Sequence, residues 1–374
     1  MKSILLASAS IVAFAGAAAA EVTFGGEAKL GYNDTAIEND GFYWSADLNT
    51  KLSQALNNGL TASATLDFDL STDNDGDALV GKNFLLELAS ENSSLQFGDV
   101  EFAAISVWST AGAVLENDGF SEQDGETVLR GNVNYSGVDA RISYIVDAES
   151  EDGIDVATSD VDQLSLGAKA AFGNFNVALA YQEESEEILA ANRAGEDLRD
   201  LKGSEIFGLT AGTTFGGANV VLSYANNLTV EENSIGVSVA YPVGPVSLRG
   251  WVATDSQYDD LSYGLRAIYA ADAYSVTANY EQRANRTGTD MGRWNLEGSY
   301  KVGNGLTAYA GILGRDVWEG EAYYVAGEMD LGNGAALLVS YADADKTNAG
   351  YLADDEVGAR EYQNGLTAEV SFTF

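Results

Sequence analysis

The chain is 374 residues long, with 57 acidic against 19 basic residues and a formal net charge of −38. It has no histidine and no cysteine, which removes the commonest general base, the commonest transition-metal ligand and any disulfide framework. Such acidity also excludes nucleic acid as a partner, because phosphate contacts need basic patches.

The first segment, MKSILLASASIVAFAGAAAA, has a basic start at Lys2, an apolar run from Ile4 to Ala15 and small residues up to Ala20. This pattern predicts a secretory signal peptide over residues 1–20, cut before Glu21, and leaves residues 21–374 as the working chain. No later stretch approaches 18 consecutive apolar residues, so any membrane crossing has to use strands.

From Glu21 onward, apolar and polar residues alternate. Val22, Phe24, Ala28, Leu30 and Tyr32 share one parity, with Thr23, Glu27 and Lys29 on the other. Phe42, Trp44, Ala46, Leu48 and Leu52 repeat the pattern, as do Leu60, Ala62, Ala64, Leu66 and Phe68. Further segments follow at 138–147, 163–172, 175–182, 233–241, 246–254, 261–269, 273–281 and 293–302, and the last, LTAEVSFTF, ends on Phe374. Successive side chains of a strand point to opposite faces, so each segment has one greasy and one wet face. A length of about 9–11 residues matches a tilted strand crossing a bilayer.

The connections alternate too. Asn58-Gly59, Gly173-Asn174, Gly216-Gly217, Asn304-Gly305 and Asn333-Gly334 are tight turns, because Asn-Gly and Gly-Gly supply the positive φ angles of two-residue hairpins. The pentapeptide NGLTA at 58–62, 304–308 and 364–368 reads as a reused turn-to-strand junction. Between the tight turns lie longer acidic loops such as 71–78, 147–160 and 183–203. A soluble β-sandwich also alternates, but one this size needs linkers between domains, and the chain has only two prolines and no such boundary. Aromatic residues near segment ends, among them Phe42, Trp44, Tyr135, Tyr181, Tyr241, Tyr300 and Phe372, suit girdles at two lipid–water interfaces. The expected fold is all-β: a transmembrane, antiparallel, up-and-down β-barrel with an even number of strands.

The start EVTFGGEAKLGY, the segment SLQFGDVEFAA at 94–104, the hairpin pattern and the terminal aromatic residue together resemble the Gram-negative general-diffusion porins, in particular the trimeric porins of alphaproteobacteria. The resemblance implies 16 strands, whereas counting segments gives up to 20. It implies a homotrimer in the outer membrane, in contact with lipid and lipopolysaccharide, and recognition of Phe374 by the barrel-assembly machinery. It also implies a loop after the fifth strand that folds inward and narrows the pore, here residues 100–127. That loop carries Glu101, Glu116, Asp118, Glu122 and Asp124, and its apolar section from Phe102 to Leu115 would sit poorly in water. Strand parity places Lys29, Lys51, Arg130, Arg141, Lys169, Arg249, Arg266 and Arg293 on the wet face, so an acidic loop opposite a basic wall would set a transverse field.

The expected function is passive diffusion of small hydrophilic solutes and ions, leaning toward cations. A substrate-specific channel is the alternative, and an exported acidic adhesin a weaker one. An enzyme is disfavoured because barrel hydrolases rely on an activated nucleophile or water, commonly with His. No cofactor is implied. Asp73, Asp75 and Asp77 are spaced like the start of a Ca2+ loop, yet Ala78 and Phe84 stand where an EF-hand needs Gly and Glu. Diffuse Ca2+ binding by acidic loops is the remaining expectation for a metal.

Overall fold

The computed structural model describes residues 20–34, 41–71, 80–112, 119–122, 126–147, 162–185, 203–284, 291–315, 320–344 and 356–374. Five strands, β1 (Glu21–Asn33), β2 (Gly41–Ala55), β3 (Thr61–Ser71), β4 (Val80–Ala89) and β5 (Ser93–Gly98), lead into a long connection. After it come β6 (Thr127–Tyr135), β7 (Val138–Asp147), β8 (Asp162–Phe172), β9 (Phe175–Gln182) and β10 (Ile206–Phe215). Then follow β11 (Ala218–Asn227), β12 (Glu232–Val243), β13 (Val246–Asp255), β14 (Ser262–Ala270) and β15 (Tyr274–Arg283). Next are β16 (Met291–Gly303), β17 (Leu306–Arg315), β18 (Gly320–Gly332) and β19 (Ala335–Ala344). Two short strands, β20 (Glu356–Val357) and β21 (Tyr362–Gln363), pair only with each other, and β22 (Gly365–Thr373) ends the chain.

Each barrel strand pairs antiparallel with its neighbours in sequence, and β22 pairs with both β19 and β1. The sheet is therefore a closed ring of 20 strands with no free edge. In hydrocarbon an unpaired N–H or C=O costs several kcal/mol, so closure is the condition for strands to cross a membrane at all. The alternating segments at 306–314 and 321–331 are wall strands rather than loop extensions, so the segment count holds and the count of 16 from resemblance does not.

The register carries the alternation around the ring. Lys29 stands opposite Ser45, Lys51 opposite Thr65, Arg130 opposite Ser143 and Lys169 opposite Asp139, so polar residues share the inner face. Leu222, Val237, Leu265 and Val325 lie exposed on the other face. Exposed aromatics collect at both rims. Tyr135, Phe172, Phe175, Phe215 and Tyr300 flank short turns, while Phe42, Tyr263, Tyr323 and Tyr341 stand near the long connections. Both central residues of the turns Ser136-Gly137, Gly216-Gly217, Asn304-Gly305 and Asn333-Gly334 have positive φ, the backbone that matches strand twist in a two-residue hairpin. The third NGLTA copy differs: Asn364-Gly365 opens β22 at the long-loop rim, opposite the rim where the other two copies turn.

This assignment of faces is testable by charge insertion. Leu222→Arg, outward in the middle of β11, should cost about 2–4 kcal/mol in lipid, whereas Thr277→Arg on the inner face of β15 should cost about 1 or less. Reversible urea unfolding from liposomes measures both, and equal costs would refute the two-faced wall.

Candidate functional site

The long connection leaves the wall at Gly98. Its φ is +123°, and a Cβ there would lie 2.2 Å from the Phe84 carbonyl oxygen, so only glycine fits. Asp99 then clamps the exit: its N–H donates to the Phe84 oxygen at 2.8 Å, and its carboxylate accepts from the Phe84 N–H at 3.2 Å. The expected loop, 100–127, is observed as 99–126, because Thr127 already belongs to β6. Residues 102–108 make one helix-like turn, with the Ser106 and Trp108 N–H groups donating to the oxygens of Phe102 and Ala104.

The loop lies on the inner wall from β6 to β13. Phe102, Ala103, Ala104 and Ala111 are fully buried. Phe102 packs with Val128 and Ile145, while Ala104, Val107 and Phe120 pack with Ala180 and Ile206. A backbone pressed on a wall needs partners for its own polar groups, and hydroxyls and an amide of successive strands supply them. Ser143 Oγ accepts the Ala103 N–H at 2.9 Å, Ser165 Oγ the Ala104 N–H at 2.8 Å and Ser223 Oγ the Ala111 N–H at 2.8 Å. Gln182 Oε1 accepts the Ser121 N–H at 2.7 Å, and Thr210 Oγ1 donates to the Ser109 oxygen at 2.6 Å. The wall is hollowed beneath the loop. A Cβ at Gly167 would lie 2.2 Å from the Ala103 oxygen, and one at Gly208 would lie 2.5 Å from Trp108 Cζ3. At the far end, Gly112 lies on the Trp251 ring.

All eight expected basic residues occupy inward register positions, but their partners differ from a simple acid-facing-base arrangement. Arg130 donates to Gln96 Oε1 at 2.8 and 3.0 Å and to the Glu101 carbonyl oxygen at 2.8 Å. Arg141 donates to the Ser106 carbonyl oxygen at 3.1 Å and pairs with Asp139 at 2.7 Å, which Lys169 also approaches at 3.4 Å. Arg130 and Arg141 thus hold the loop's backbone from the wall it lies on. Lys29 sits 5.8 Å from the Tyr43 ring centroid. Arg293 pairs with Glu281, which Arg283 also approaches at 3.2 Å. Lys51 faces Thr23 and Thr65, and Arg249 stands opposite Arg266. Glu101 and Glu122 are exposed. Glu116, Asp118 and Asp124, like Asp73, Asp75 and Asp77, lie outside the described residues. Phe374 is exposed on the outer face, its N–H donating to the Gly26 oxygen at 2.8 Å.

A second inward element was not anticipated from the sequence. The β20–β21 hairpin folds onto β16–β19: Tyr362 packs on Tyr324 with ring centroids 4.7 Å apart, and Val357 is buried with them against Ala342. Glu297 accepts from the Tyr324 hydroxyl at 2.7 Å and from the Ala359 N–H at 2.9 Å. Arg360 pairs with Glu328 and stacks 4.1 Å from the Tyr309 ring centroid. Burial raises the Tyr362 phenol above its ordinary pKa, so it stays neutral in this contact. The sequence did hold a signal. Leu313, Tyr324 and Leu338 break the polar rule of the inner face, and greasy inward residues need a cover.

Ring order sets these parts against one another. In a closed ring of 20, β8 stands opposite β18 and β4 opposite β14. The long loop, centred on β8 to β10, therefore faces the hairpin on β16–β19 across the lumen. Gly208 and Tyr324 each lie eight residues along their strands from the short turns at Gly216 and Gly332. Between the two covers lie two arcs of wall on which no described segment rests. The arc β22 to β5 exposes Glu27, Asp47 and Asp69 side by side in register. The arc β13 to β16 exposes Arg249, Arg266 and Arg293. Beneath the loop, a recess of about 500 Å³ is lined by Val107, Asp139, Lys169 and Thr210. The arrangement is a closed ring whose inner wall carries two covers facing each other and two charged arcs between them.

The family comparison agrees with a barrel of this kind. The family described as Gram-negative porin matches residues 7–316, ahead of β18. Among solved structures, a mutant of the Rhodopseudomonas blastica porin is 14% identical, covering 94% of this chain and 100% of its own, with a TM-score of 0.46. A second mutant of that porin is 13% identical over the same shares with a TM-score of 0.47, and a triple mutant is 13% identical with 0.44. The search among curated proteins returned no match. Because the family match spans most of the chain, the protein belongs to the Gram-negative porins and forms a channel in the outer membrane.

Proposed function

We propose that this porin passes small hydrophilic solutes and ions passively and favours cations. One observation carries the preference: Glu27, Asp47 and Asp69 occupy one row on three consecutive strands, facing the bare lumen. Like charges directly opposite each other cost stability, and mobile cations in the lumen relieve that cost. Asp67, Glu87 and Glu369 share the same arc against Lys29 and Lys51, so its sum is negative. The constriction roles of Glu101, Glu116, Asp118, Glu122 and Asp124 are part of the same proposal. Arg130 and Arg141 enter it as anchors of the loop, and the remaining basic residues as lumen wall.

Residues 1–20 act in this reading as an export signal and residues 21–374 as the barrel. Phe374 presents the chain to the barrel-assembly machinery, and the barrel assembles as a homotrimer bordered by lipid and lipopolysaccharide. No catalysis is proposed, since a chain without His and Cys lacks the commonest general base and the commonest thiol nucleophile. Weak Ca2+ association at Asp73, Asp75 and Asp77 remains part of the proposal, and these residues lie outside the described residues. The second in-folded hairpin favours one further reading, a channel selective for particular solutes, because two covers leave less room than one.

Three measurements on purified protein in planar bilayers test these roles. Under a KCl gradient the reversal potential should report cation preference, and neutralising the row as Glu27→Gln, Asp47→Asn and Asp69→Asn should lower the permeability ratio about fourfold; an unchanged ratio refutes the row. Reversing Glu116 and Asp118 to Lys should move the ratio the same way, and no shift removes that segment from the waist. Gly208→Val should push the loop off the wall and raise single-channel conductance. Unaltered conductance in a barrel with normal heat-shifted gel mobility would mean that the loop does not limit flow.

A further inference from the structure

Of the arginines whose side chains are described, Arg130, Arg141, Arg283, Arg293 and Arg360 each have an acidic or carbonyl partner. Arg249 and Arg266 make neither an ion pair nor a hydrogen bond among the described residues. They are also direct cross-strand neighbours, Arg249 on β13 opposite Arg266 on β14, both exposed on the inner face. This is an unexpected pairing in a chain where acidic residues outnumber basic ones 57 to 19. Directly opposed like charges destabilise a sheet, and among the described residues the nearest inward carboxylate by register does not relieve them. Glu281, opposite Gly264 on the next strand, is already engaged by Arg283 and Arg293.

The surroundings give the pair a place on the permeation path. Trp251 lies two positions along β13 on the same face and covers Gly264, the residue opposite it. The far end of the in-folded loop rests on the same ring at Gly112. Arg249 and Arg266 therefore sit beyond the Gly112 contact, toward the short-turn rim, on wall that no described segment covers. Asn279 stands opposite Arg266 and adds an amide donor to the row.

We propose that Arg249 and Arg266 form an oxyanion-binding step inside this otherwise acid-rich channel, taking the phosphate or carboxylate group of a passing solute. Two guanidiniums side by side present planar sets of N–H donors, which suit bidentate contacts to such groups better than to chloride. The step is distinct from the anchoring arginines, because nothing else in the described structure uses these two. It rests on the channel reading, and its test separates the two ideas.

The test is single-channel recording of the full-length protein in KCl, with inorganic phosphate or succinate titrated from the short-turn side. The wild type should show a saturable fall in current with phosphate that equal added chloride does not reproduce. Arg249→Gln with Arg266→Gln should abolish the fall and raise the cation-to-anion permeability ratio about fourfold, while Arg249→Lys with Arg266→Lys should keep a weaker fall. A fall with phosphate alone assigns the step to phosphate-bearing solutes, and one with both probes assigns it to oxyanions generally. Normal KCl conductance in wild type with no response to either probe overturns the proposal, as does an identical response in the double Gln variant. Silence of the wild type in KCl would count against the channel itself.

Discussion

The structure depends on one constraint: inside hydrocarbon, every backbone N–H and C=O must find a partner within the protein. Closing β22 onto β1 meets it, since an open twenty-strand sheet would leave two edges in lipid. The rest follows from closure. A ring has an outside and an inside, so a ribbon with period two presents lipid to one parity and water to the other. The exposed Leu, Val and Tyr of the outer face and the Ser, Thr, Asn and charged residues of the inner face are the two halves of one pattern.

Where the inner face departs from that pattern, something lies on it. Gly167, Ala180, Ile206 and Ala225 are small or apolar where the long loop rests. Leu313, Tyr324, Leu338 and Ala342 are apolar where the second hairpin rests. The wall on which no described segment rests keeps its charges: the arc β22 to β5 is acid-rich despite Lys29 and Lys51, and the arc β13 to β16 carries Arg249, Arg266 and Arg293 beside Glu281. Two arginines of the wall beneath the loop, Arg130 and Arg141, donate to its backbone carbonyls. Fixing a loop through main-chain oxygens leaves its side chains free to vary without releasing it.

Period-two alternation made the strands, their faces and the inward parity of all eight basic residues readable in advance, because a one-residue slip would turn every side chain to the wrong medium. The loop after β5 was readable from Phe102 to Leu115, an apolar run with no strand to belong to. Counting segments was a better guide to strand number than likeness to relatives, since residues 306–331 alternate as cleanly as any others. Partners were not readable. Whether Arg130 meets Glu101's carboxylate or its carbonyl depends on the course of the loop, which local pattern does not encode. The hairpin at 356–363 was missed because its own stretch looks like any acidic loop; the clue lay upstream, in Tyr309 and Tyr324 on a face that should have been wet.

The seam between the first and last strands has a consequence for how the molecule comes into being. Glu27 is matched with Thr373 and Asn33 with Thr367, so the two partners are separated by nearly the whole polypeptide. The entropy of joining such distant ends grows only logarithmically with their separation, which makes timing rather than energy the obstacle. Hairpins can form as soon as their two arms exist, but the cylinder stays an open, adhesive sheet until its final residues arrive. A chain cut short by even one strand would keep two raw margins, and would be expected to stick to its own kind before it could hold water.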